Sequence, residues 1–171
     1  GTSHRALLVR DPRDVLVSLY HHAIGRSEKS GLDPSLPIGE FLRSYELGLP
    51  ALINFLNIWA DAATSQKNIR VYRYENLLLD SNSESGKGAC WPSLVNFVTN
   101  LDVNHAALKK AIAENNIDTL RKRLSENGDT KNTISSGGRI RKGKIGSFAD
   151  EIQGSEIQFI QNQFSAGLNQ N

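Results

Sequence analysis

The sequence predicts an α/β fold, a small parallel sheet flanked by helices, and three observations carry that expectation. Ala6-Leu7-Leu8-Val9 is a short unbroken apolar run, the pattern of a parallel strand buried on both faces. Directly after it, Val15, Leu16, Leu19, Tyr20 and Ala23 recur at helical spacing and give a helix with one apolar face. A second strand-like run, Ile69-Arg70-Val71-Tyr72, follows after further helical stretches, so the two runs can lie side by side in one sheet.

The junction between the first strand and the first helix is the most informative stretch. Asp11 suits an N-cap, Pro12 falls at the first helical position where its missing N–H costs nothing, and Asp14 lies in the first turn. Arg10 therefore ends a strand beside a helix N-terminus, at the edge where open parallel sheets bind ligands and helix ends attract anions. Ser18 lies one helical turn beyond Asp14, so its hydroxyl can face the same opening. By themselves these residues fit a phosphate-binding edge and an ordinary solvated junction equally well.

Composition sets the class. The chain has 171 residues, 39% of them apolar and 22% charged, ordinary values for one globular domain with a real core. A net charge of +2 is too small to indicate nucleic acid. The single cysteine, Cys90, rules out an internal disulfide, fits a reducing, cytoplasmic compartment, and reads as a packed small residue. No apolar run approaches the roughly 20 residues needed to span a bilayer, and no signal peptide is evident. Methionine is absent and a strand begins within a few residues of Gly1, so the chain reads as part of a longer protein.

The remaining elements follow in order. Positions 25–37 are rich in Gly, Ser, Pro and charge and read as a long mobile loop; 25–31 lacks the Gly-Lys-Ser/Thr ending of a P-loop. Pro37 opens a helix carrying Phe41, Leu42 and Tyr45, and Leu49–Ala63 forms the next, with Leu52, Ile53, Leu56, Ile58 and a core Trp59. Tyr74 stands at the end of the second strand. Positions 81–89 form a polar loop. Helices are expected from Pro92, with Leu94, Val95 and Val98 inward, and over Ala106–Ile112. Positions 125–138 form another loop, leading into Arg139-Ile140-Arg141-Lys142-Gly143-Lys144. There glycine lets backbone N–H groups approach an anion and arginine adds a bidentate fork, which fits a phosphate, a polyanion or a solvated loop. A last helix, Ser155–Phe164, packs through Ile157, Ile160 and Phe164. His21 and His22 read as surface residues.

Arg10-Asp11-Pro12-Arg13-Asp14-Val15-Leu16-Val17-Ser18-Leu19-Tyr20-His21-His22 resembles the 3′-phosphate-binding segment of the sulfotransferases that use 3′-phosphoadenosine 5′-phosphosulfate (PAPS). The resemblance implies that Arg10 and Ser18 hold the 3′-phosphate. Arg141-Lys142-Gly143 is similar to the family's second phosphate segment, about 130 residues on, with Ser147-Phe148 where the family has Asp-Trp. Tyr74 matches the residue that contacts adenine, in a segment where Asn76 replaces the usual aspartate. Asn116 and Ile117 stand where the family has Ser and Phe near the nucleotide. The implied fold is a P-loop-NTPase-like parallel sheet, and the implied donor and product are PAPS and adenosine 3′,5′-bisphosphate (PAP), with no metal. The acceptor would be a small molecule or glycan bearing a hydroxyl or amine, with no nucleic acid partner.

The resemblance spans the chain but only the later part of the family's domain. The family's phosphosulfate loop and its base, often His, are therefore expected upstream of Gly1, and 1–171 alone is expected to be one partial, inactive domain. Two other readings stay open: a non-catalytic module for 3′-phosphoadenosine nucleotides, and a polyanion or nucleic-acid binder using positions 139–144.

Overall fold

A computed structural model describes residues 3–81, 90–126 and 143–168. Its elements are β1 (Arg5–Val9), α1 (Pro12–Ile24), α2 (Ser27–Ser30), α3 (Ile38–Arg43), α4 (Leu49–Ser65), β2 (Ile69–Arg73), α5 (Tyr74–Ser81), α6 (Cys90–Thr99), α7 (His105–Glu114), α8 (Ile117–Glu126), a 3-10 turn (Ser147–Asp150) and α9 (Ser155–Gly167). They form two compact units, one of residues 1–10 and 59–120, the other of 11–58 and 121–171.

The first unit holds the sheet. β1 and β2 pair in parallel, Leu7 opposite Val71, Leu8 opposite Tyr72 and Val9 opposite Arg73. The Arg5 N–H donates to the Asn68 carbonyl (2.8 Å), which sets the register from the strand starts. A small core of Tyr72, Leu77 and Phe97 lies beneath, with Cys90, Trp91 and Leu94 packed on it. Cys90 is thus the small packing residue its context indicated. Asp80 begins α6 by accepting from the N–H groups of Cys90 (3.1 Å) and Trp91 (3.2 Å). The Trp91 indole N–H donates back to the Leu77 carbonyl (2.9 Å) and the Ser81 hydroxyl (2.8 Å), locking α5 to α6.

Burial on both faces of β1 is not observed. Leu8 is 53% exposed and Val71 46%. A strand is buried only when a layer covers each face, and a two-stranded pair with α6 on β1 and α5 on β2 leaves apolar positions uncovered. Apolar sequence shows what a strand tolerates, while neighbours decide its burial.

In the second unit Leu16, Val17, Leu42, Leu49, Ile152 and Ile160 make a fully buried core, flanked by Ile157 and Phe164 of α9. Phe41 is also fully buried and meets the Tyr20 ring edge-on at 5.4 Å. The Tyr20 hydroxyl donates to the Leu36 carbonyl (2.8 Å), so part of the expected loop is pinned, and Ser27–Ser30 within it is helical. Three expected core positions point outward: Tyr45 is 84% exposed, Ile58 57% and, in the first unit, Val98 45%. α3 stops at Arg43, so Tyr45 leaves the helical face that buries Phe41 and Leu42. Trp59 is half-buried. The loops expected over 81–89 and 125–138 lie largely outside the described residues. No helix among the described residues is long and apolar enough to cross a membrane.

Candidate functional site

In the first unit the strand register brings two of the expected site residues together. Val9 and Arg73 are paired, so the next positions, Arg10 and Tyr74, leave the sheet at the same level on its carboxyl edge. The Arg10 guanidinium lies over the Tyr74 ring, 4.8 Å from its centre. A guanidinium over a ring at this distance makes a cation–π contact. Tyr74 is held there because β2 passes into α5 without a loop, and because the Tyr72 hydroxyl is anchored on the Ser93 carbonyl at 3.0 Å.

In the second unit α1 starts as its sequence indicates. Asp11 caps it, Oδ1 accepting the Arg13 N–H at 2.9 Å, with Pro12 in the first turn. The Arg13 side chain folds back on the same carboxylate, Nε to Oδ1 at 3.0 Å and Nη2 to Oδ2 at 2.7 Å. That side-chain hydrogen bond, more than the backbone one, holds the Asp11 carboxyl below its usual range against the opposing effect of burial. The same bond raises Arg13. The Arg13 guanidinium also lies over the Phe148 ring, 4.0 Å from its centre.

Asp14 is the residue whose importance the sequence did not disclose. It is fully buried, and a buried carboxylate is costly unless donors surround it. Oδ2 accepts the Gly146 N–H (2.9 Å); Oδ1 accepts the Phe148 N–H (2.9 Å) and the Ser147 hydroxyl (3.2 Å). Farther along α1, His21 lies at the surface as expected, its side chain 40% exposed, and it also pairs with Glu151. One helix face thus holds the whole 146–151 stretch. The available signal was an acidic residue at the third position of a capped helix, together with glycines that could present N–H groups elsewhere. Sequence alone does not match the two across such a separation.

The other expected residues are placed as follows. Ser18 is exposed on α1. Gly143 is described and takes a left-handed φ of 63°, a conformation that favours glycine. Arg141 and Lys142 lie outside the described residues. Asn116 is exposed and starts α8: its Oδ1 accepts the Thr119 N–H at 2.9 Å and its amide donates to the Ala113 carbonyl at 2.8 Å. Its side chain thus already has a local structural task.

The sequence profile of the sulfotransferase domain matches residues 6–171, nearly the whole chain. The chain belongs to the sulfotransferase family, whose chemistry is sulfonate transfer. Comparison with curated proteins and with solved structures returned no match.

Proposed function

We propose that this chain reads the 3′-phosphate end of PAPS in a sulfotransferase that transfers sulfonate to a hydroxyl or amine of a small-molecule or glycan acceptor. The observation that carries the reading is the stack of Arg10 on Tyr74 at the carboxyl edge of a parallel strand pair. A cation beside an aromatic ring at that edge fits a ligand in which a phosphate adjoins a purine. The parallel pair also supports a P-loop-NTPase-like architecture for 1–171, taken as one sulfotransferase-like domain.

PAPS supplies the sulfonate already activated on its 5′-phosphate. In this reading Arg10 and Ser18 hold the 3′-phosphate and Tyr74 lies against the adenine. Arg141, Lys142 and the Gly143 N–H complete the anion's partners, and Asn116 faces the nucleotide. A phosphate monoester carries close to two negative charges at neutral pH, so arginine forks at more than one oxygen suit it. These residues hold the donor's nucleotide, not the sulfonate that moves.

The test is calorimetric titration with adenosine 3′,5′-bisphosphate and with adenosine 5′-monophosphate. A charge-assisted hydrogen bond contributes about 1.5–3 kcal/mol, so Arg10→Ala should weaken the bisphosphate about 10- to 150-fold. The monophosphate, lacking the group being read, should change little. Equal losses for both nucleotides, or a parent chain that does not distinguish them, would rule the assignment out.

A further inference from the structure

We infer that Asp14 is a positioning residue for the nucleotide: it touches no ligand but holds the Gly143–Phe148 segment where the Gly143 N–H meets the donor's 3′-phosphate. The inference rests on the reading of Gly143 proposed above. It is carried by geometry within one unit. Asp14 is fully buried and takes donors from three consecutive residues, Gly146, Ser147 and Phe148. Gly143 precedes the first of them by three positions, a reach of at most about 11 Å, so the anchor limits where its backbone can stand. Gly143 and Gly146 both have left-handed φ, 63° and 73°, so the chain bends sharply before the anchor and again at its first residue. Arg13 on Phe148 and His21 on Glu151 clamp the same stretch from one residue before and two turns beyond Asp14's position on α1.

A purely structural role would predict something different. A carboxylate that only stabilised the unit would, when altered, lower the melting temperature and leave the preference between nucleotides as it was. A positioning role moves that preference. Asp14→Asn has nearly the same volume, but its amide can accept at one atom only and sets an N–H₂ against a backbone N–H. The segment would shift without a cavity opening.

The experiment is calorimetric titration of the full chain with adenosine 3′,5′-bisphosphate and adenosine 5′-monophosphate, for the parent, Asp14→Asn and Ser147→Ala, with melting curves for each. Asp14→Asn should weaken the bisphosphate about 5- to 30-fold and the monophosphate less than about twofold. Ser147→Ala removes one donor and keeps both backbone N–H groups; it should show the same selectivity at about 2- to 5-fold. A lower melting temperature with unchanged selectivity overturns the inference. If Asp14→Asn does not fold, Ser147→Ala decides on the same criterion. A parent that binds both nucleotides equally ends the functional reading itself, and this inference with it. A selective parent with unmoved variants ends only the inference.

Discussion

Asp11→Ala should destabilise the chain by a predictable amount with a predictable pH dependence. The substitution removes the cap, in which the carboxylate accepts the Arg13 N–H at 2.9 Å, and the fork from the Arg13 side chain. An N-cap contributes about 1 kcal/mol. A partly exposed ion pair adds about 0.2–1 kcal/mol. The expected loss is about 1–2 kcal/mol, or roughly 2–8 °C in melting temperature for a chain of this size. Asp11→Asn keeps an acceptor for the cap and loses the ion pair, so it should fall between the two.

The pH dependence follows from the lowered carboxyl pKa, caused first by the Arg13 side-chain hydrogen bond. A group depressed in the folded state contributes its stability fully above its unfolded value, near 3.9 for aspartate, and loses it as pH falls through the folded value. Parent and Asp11→Ala should therefore differ most from neutral pH down to about pH 5 and converge below pH 4. Helical circular dichroism during heating, across that pH range, measures both. A gap that stays constant down to pH 2 would show that the charge of Asp11 contributes nothing, and no gap at pH 7 would show that Asp11 neither caps α1 nor pairs with Arg13.

Two other changes test the packing and the local electrostatics. Gly48→Ala should destabilise by about 1–3 kcal/mol in urea unfolding, because the added methyl would stand 2.5–2.6 Å from the backbone carbonyl oxygens of Phe41, Leu42 and Ser44, which cannot swing aside; unchanged stability would mean that the turn into α4 is looser than described. The exposed Asp33 carboxyl, held low by the Ser35 backbone N–H (2.8 Å) and then by the Ser35 hydroxyl (2.7 Å), should titrate below the ordinary range by NMR. Ser35→Ala should raise it only part of the way back, since the larger, backbone contribution remains; a full return would reverse that ranking.

What the chain carries locally was legible without coordinates. The strand at Ala6–Val9, the cap at Asp11, Pro12 in the first turn of α1 and the second strand at Ile69 all depend on residues within a few positions of one another. The placing of Arg10 after one strand and Tyr74 after the other followed from the same local signals. Their meeting did not: it required the parallel register that sets Val9 opposite Arg73. Burial was likewise undecided. Leu8 and Ile58 are as apolar as their buried neighbours, yet they are exposed because none of the described elements covers them. Asp14 shows the same limit from the polar side, since an aspartate in a first helical turn is normally solvated and favoured by the helix dipole alone. Only the approach of Gly146, Ser147 and Phe148 turns it into a buried anchor, and that approach spans more than 130 positions of the chain. Short-range propensities specify which elements form and where they begin. Which faces are covered, and which distant N–H groups reach a carboxylate, depends on chain segments that meet only once the elements have packed.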